Sequence, residues 1–218
     1  MNQAGKGEAR PGTFAQGSCN CLMSKENETS AGIEVLSAAA PETDDRKWYV
    51  LRDLTRSNAK MPGYRLLSEQ SFEVFTPMRR KTVVREGRKT WVEVPYLQDL
   101  LFVHESRAKL DPLIEKTETL QYRYVRGAYC EPMTVPSCEM SRFIHAVRSS
   151  TSAKYYRPEE LTPSMYGKYV RIVGGALDGY EGYLLSLRGS KVRRLLVELP
   201  NYLTTAVEVR PDLIEVLG

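Results

Sequence analysis

The 218-residue chain has no run approaching the roughly 18 consecutive apolar residues that a membrane helix needs, which excludes an integral protein of that kind. Its first residues, Met1 to Gln16, are polar and hold no apolar h-region, so no secretory signal is read there. Four cysteines in a chain this long make no disulfide scaffold, and the expected compartment is a reducing cytoplasm. Cys19, Cys21, Cys130 and Cys138 form no paired CxxC knuckles, and only His104 and His145 are available beside them. No metal site and no cofactor are expected from that set. Neither histidine has a nucleophile or an orienting carboxylate nearby in sequence, and no serine elbow, metal-hydrolase helix or kinase set appears. The chain is not expected to be an enzyme. Gly174 to Gly182 is rich in glycine but lacks the Gly-Lys-Ser/Thr and the following helix of a phosphate loop. A tight turn with close backbone approach explains it better.

What the chain does have is charge, and its location matters more than its total of +4. Residues 1–46 hold four basic and seven acidic side chains, residues 47–165 twenty and fourteen, and residues 166–218 seven and six. The basic character therefore sits in the middle. Residues 1–46, with Phe14 as their one aromatic, bury too little to offset ordering entropy and read as a flexible extension, with a short helix turn at 33–40. Residues 149–165, with a Ser-Ser-Thr-Ser run, Pro158 and Pro163, read as a linker onto which Tyr155 and Tyr156 could dock. Two folded pieces remain, 47–148 and 166–218.

The first piece mixes strands and helices. Trp48 to Leu51 is a strand, a helix opens at Pro62, and Val74-Phe75 is a brief strand. Lys81–Arg85 and Lys89–Val94 flank the hairpin turn Glu86-Gly87-Arg88. Leu100 to Val103 and Leu120 to Val125 are strands around a helix at 110–116. Ser137 then caps a helix whose Met140, Phe143, Ile144 and Val147 share a face. This is an α+β pattern: a mainly antiparallel sheet with flanking helices. The second piece alternates with period two at 168–173 and has further strands at 192–199, 204–209 and 213–217. Such spacing implies a small closed β-barrel.

Three surfaces are candidates for binding. Arg79, Arg80 and Lys81, with Arg85, Arg88 and Lys89, give a basic hairpin suited to a phosphate backbone. Arg52, Arg56, Lys60 and Arg65 make a second basic patch. Tyr96-Leu97 and Leu100 to Val103 put large side chains on both faces of a strand, so an apolar patch should be exposed for a partner unless helices cover both faces.

At these residues the chain resembles a known family. Trp48-Tyr49-Val50-Leu51 before a helix, Phe75-Thr76-Pro77-Met78, the basic hairpin, Pro95 to Val103 and Pro132 to Pro136 together resemble the NusG amino-terminal domain. Gly167 to Ile172 with Gly175, Gly179 and Gly182 resembles the turn of a KOW barrel. Gln98-Asp99, Gly175-Ala176-Leu177 and Leu101 to His104 depart from general NusG toward its specialised paralogues, the RfaH type and especially the UpxY type.

The resemblance implies an operon-specific antitermination and elongation factor, for the UpxY type one serving capsular polysaccharide operons. It implies RNA polymerase as partner, gripped at the clamp helices by Tyr96, Leu97, Leu100 and Phe102. It further implies non-template DNA or nascent leader RNA as a second partner, with Arg52, Arg56, Lys60, Arg65, Arg79, Arg80 and Lys81 as candidates. A ribosomal protein or Rho is implied at the KOW domain. A monomer with no membrane contact is expected. Two other readings stay open: a general NusG-type elongation factor, and a KOW protein that binds RNA or the ribosome without touching polymerase.

Overall fold

β1 (Lys47–Asp53) lies at the centre of the first sheet because its residues are apolar on both sides. Trp48 and Val50 enter one core and Tyr49 and Leu51 another. In the computed structural model, which describes residues 45–57, 59–85 and 87–217, β1 pairs antiparallel with β5 (Leu101–Glu105), β6 (Leu120–Tyr122) and β7 (Thr134–Val135). The expected helix turn at 33–40, Cys19 and Cys21 lie outside the described residues. β2 (Glu73–Phe75) completes the sheet along the far side of β5.

Helices cover both faces of this sheet. α1 (Gly63–Glu69) and α2 (Arg107–Lys116) bury Leu67 and Leu110 against Tyr49, Leu51, Leu101 and Val103. α3 (Ser137–Arg148) buries Met140, Phe143, Ile144 and Ala146 against Trp48, Val50 and Phe102. The apolar residues on both sides of β5 are thereby accounted for, and the exposed patch expected from them is not exposed. The residue expected to cap α3, Ser137, is instead its first helical residue. Pro136 occupies the cap position without a side-chain bond, while Glu139 stands in the first turn, where its charge favours the helix dipole.

β3 (Met78–Arg85) and β4 (Arg88–Pro95) form a two-stranded ladder that pairs with no other described strand. Gly87, at φ 75°, supplies the positive φ that the turn needs.

The second half is a six-stranded antiparallel sheet rather than the closed barrel expected. Its order runs from β13 (Ile214–Val216) through β9 (Tyr166–Ile172), β10 (Glu181–Leu185), β11 (Arg194–Leu199) and β12 (Leu203–Glu208) to β8 (Lys154–Tyr156). Three-residue strands end both edges, so short length limits the exposed backbone where closure was anticipated. β8 comes from the segment read as linker, and it pairs through Tyr155 with Thr205 and through Tyr156 with Thr204.

Gly182 marks where the sheet is tightest. A Cβ there would lie 2.7 Å from the Leu196 carbonyl oxygen on the neighbouring strand. Residues 43–218 make one unit, and a single core runs from Trp48 and Phe143 into Val170, Leu195 and Val207. Among the described residues, no helix is long and apolar enough to cross a membrane.

Candidate functional site

A cleft opens where the hairpin leans over the loop between β1 and α1. Successive residues of a strand point to opposite faces, so Arg79, Lys81 and Val83 share one face of the hairpin with their partners Val94, Val92 and Thr90. This face forms one wall. Arg56, Ser57, Ala59, Pro62, Tyr64 and Arg65 form the other, around about 420 Å³. The cleft continues into a second lobe of about 890 Å³, with Tyr96, Leu97 and Asp99 along its side.

The loop wall is held by buried hydrogen bonds. Asp53, only 6% exposed, accepts the backbone N–H of Thr55 at 2.9 Å and that of Gly63 at 2.7 Å. Gly63 has to be glycine because a Cβ would meet the Asp53 carboxylate at 2.8 Å. Gln98 reaches from the other side and donates to the Thr55 carbonyl at 2.7 Å. Its neighbour Asp99 pairs with Arg123 at 2.9 Å. Gln98-Asp99 thus ties the β5 approach both to the basic loop and to Arg123, just past β6.

The basic candidates separate accordingly. Arg56, Arg65, Arg79 and Lys81 line the cleft, and none of the four has an ion-pair partner among the described residues. Arg65 stands over the Tyr64 ring at 5.8 Å, and Arg79 over the Tyr96 ring at the same distance. Arg80 points to the opposite hairpin face, 3.6 Å from Glu93. Arg52 is exposed on the α3 side of β1, and Lys60 is exposed beside the cleft without lining it. Tyr64 carries no local mark of a place in this site, since its spacing to Leu67 on α1 is that of an apolar helix face.

The four apolar candidates are brought together, but the second half covers them. Phe102 is fully buried and Leu100 is 2% exposed. Tyr202 stands against Phe102 with centroids 5.8 Å apart and planes at 85°. Tyr96 and Leu97 are half-buried against the same core. The Tyr96 ring tilts onto Tyr155 at 5.5 Å, and its hydroxyl donates to Glu160 at 2.9 Å.

Burial and that bond to Glu160 push the Tyr96 phenol up to about 12. The Glu160 carboxyl is held low, first by the Arg157 backbone N–H and also by Tyr96. A second tie joins α3 to the turn before β10. Arg142 lies over the Tyr180 ring at 5.0 Å and donates to the Glu181 carbonyl at 2.8 Å, while the Tyr180 hydroxyl donates to the Arg142 carbonyl at 3.0 Å. Tyr202 and Tyr180 carried no sequence signal for this role, since nothing local distinguishes an aromatic that packs on another module from one in its own core.

Of the turn glycines, Gly175 and Gly179 both take φ 75°, as a tight turn requires, whereas Gly182 lies within β10. The histidines take packing roles. His104 stacks on Trp48 at 5.0 Å with Nδ1 2.9 Å from Glu73, and His145 Nδ1 lies 2.9 Å from the Tyr180 hydroxyl.

The family described as "Transcription termination factor nusG" matches residues 46–144. Over this stretch the chain is similar to the NusG family. The stretch contains the five-stranded sheet, the hairpin, α1, α2 and most of α3. Among solved structures, one titled "Domain interaction in Thermotoga maritima NusG" is similar at 13% identity with a TM-score of 0.42, covering 79% of this chain and 98% of that one. No curated protein matches the chain. The match to the UpxY or RfaH type expected from the sequence is not among these findings.

Proposed function

We propose that this chain is a transcription elongation and antitermination factor that docks on RNA polymerase through Tyr96, Leu97, Leu100 and Phe102. The observation that supports the reading is the match to the NusG family over 46–144, with these four side chains gathered in one core. Proteins of this family bind RNA polymerase. Docking at the clamp helices bridges the cleft and works by differential affinity for two polymerase conformations, favouring the one that does not pause. The core the four residues share with Tyr202 and Tyr155 means that the second half has to move before they meet a partner.

The cleft lined by Arg56, Arg65, Arg79 and Lys81 takes the phosphate backbone of non-template DNA or nascent leader RNA. Arg52, Lys60 and Arg80, outside the cleft lining, add to the positive charge of the same domain. The departures at Gln98-Asp99 and Gly175-Ala176-Leu177 support an operon-specific factor of the UpxY type acting on capsular polysaccharide operons. The second half is a KOW domain in this reading, free once released to recruit a ribosomal protein or Rho.

Single-round transcription on a template carrying a capsular operon leader, beside an unrelated template, tests this. Added protein should raise read-through on the first alone. Equal gain on both would make it a general elongation factor, and no gain on either would contradict the proposal.

A further inference from the structure

The hairpin has a second face, of which the cleft touches only Glu93. On it, Arg80 stands opposite Glu93, Thr82 opposite Trp91 and Val84 opposite Lys89. Trp91 is 72% exposed and Val84 is 62% exposed, and no other ring packs on the indole among the described residues. Because β3 and β4 pair with nothing else, Trp91 belongs to no core, so core packing does not explain so large an apolar surface. The chain's other tryptophan, Trp48, is 4% exposed in the sheet core.

The surroundings of Trp91 indicate the occupant. Residues 78–95 carry six cations and two carboxylates, an excess equal to the net charge of the entire chain. One of those carboxylates, Glu93, is answered by Arg80 at 3.6 Å. Lys89, two residues along the same strand face, has no ion-pair partner among the described residues. An aromatic plane set two residues from the unpaired Lys89 fits a ligand offering a π-face beside a phosphate, which is a nucleotide in a single strand. A duplex keeps its base faces stacked internally and presents none to the indole. An acidic protein surface would satisfy the cations and leave the indole without a matching contact.

We propose that the outward face of the β3–β4 hairpin is a single-strand stacking site, in which a base lies on Trp91 while Lys89 meets the flanking phosphate. This rests on the reading that the basic side of the domain meets nucleic acid, and it specifies the form taken: an unpaired strand that bends around the hairpin from the Arg79–Lys81 cleft to Trp91.

The test titrates the full chain with a 15-nucleotide oligo(dT), its oligo(U) counterpart and a DNA duplex of equal length at one fixed low salt. Anisotropy reports binding and indole fluorescence reports stacking. Either single strand should bind with quenching of Trp91, and the duplex should not quench. Trp91→Ala should weaken single-strand binding about tenfold, the order of one base–aromatic stack, and Trp91→Phe should restore most of it. Preference for oligo(dT) or oligo(U) distinguishes DNA from RNA, and either supports the site.

Lys81→Gln paired with Arg79→Gln separates the two ideas. If that variant loses binding while Trp91→Ala binds like wild type, the stacking site is wrong and the phosphate cleft stands. If neither strand nor duplex binds wild type, both are wrong.

Discussion

Tyr202 stands edge-on to Phe102, with ring centroids 5.8 Å apart and planes at 85°, and so joins the two halves of the molecule at the proposed polymerase surface. Phe102 is wholly buried in a core shared by α3 and the second half, whereas Tyr202 lies half-buried in the tight turn between β11 and β12. Burial pushes the Tyr202 phenol above its ordinary range. Truncating Tyr202 therefore loosens the contact between halves while leaving the packing of α3 on Phe102 in place.

Tyr202→Ala is expected to cost about 1 kcal/mol at the contact, the order of one aromatic pair, and to tighten polymerase binding by lowering the cost of exposing Leu97, Leu100 and Phe102. Affinity measured by surface plasmon resonance on immobilised core polymerase checks this. Weaker binding by Tyr202→Ala would show that the tyrosine itself touches the partner.

Asp53→Ala leaves the N–H groups of Thr55 and Gly63 without their acceptor. The expected loss is about 1–3 kcal/mol, the penalty for a buried unpaired donor, read as a lower midpoint in urea unfolding. Because the same carboxylate shapes the loop carrying Arg56, nucleic-acid affinity should fall together with stability.

The tie between Tyr96 and Glu160 has a defined pH window. The folded-state Glu160 pKa lies below its ordinary value, so its contribution is present above the usual carboxylate range and fades as pH falls through the depressed folded value. Tyr96 works at the opposite end. Its phenol is raised to about 12, so that contribution holds below the ordinary tyrosine range and fades as pH rises through the folded value. The Arg157 amide, which donates to Glu160 at 2.9 Å, should shift in NMR spectra on acidification below the ordinary glutamate value. Glu160→Gln should abolish that titration.

Gly182→Ala puts a methyl group 2.7 Å from the Leu196 carbonyl, a backbone atom that cannot swing aside. About 1–3 kcal/mol of stability should be lost as β10 and β11 move apart, seen in calorimetry as a melting temperature several degrees lower. A midpoint equal to wild type would mean the sheet tolerates the wider spacing.

The first half of the fold was largely legible in the sequence, because its elements carry strong local signals. Glu86-Gly87-Arg88 marked the hairpin turn, and Met140, Phe143 and Ile144 marked the buried face of α3. Closure of the second half was not legible. The period-two pattern at 168–173 fixes a strand but not whether the last strand meets the first, and the pairing of β8 with β12 joins residues about fifty positions apart. Burial of the apolar candidates was missed for a related reason. The strand pattern showed that Leu100 and Phe102 point away from Leu101 and Val103, but a cover made by α3 and by Tyr202, a hundred residues on, leaves no mark at β5. Among the basic residues, hairpin alternation does separate Arg80 from Arg79 and Lys81 once the pairing register is known.

The most direct measurement is binding of the full chain to core RNA polymerase at fixed salt, comparing wild type, Leu97→Glu and Tyr202→Ala. Leu97 is half-buried at the cleft edge, and a carboxylate there would have to lose its hydration on docking. The account predicts that wild type binds, that Leu97→Glu loses binding at least tenfold while remaining folded, and that Tyr202→Ala binds more tightly than wild type. Equal binding by wild type and Leu97→Glu, or no binding by any of the three, would contradict it.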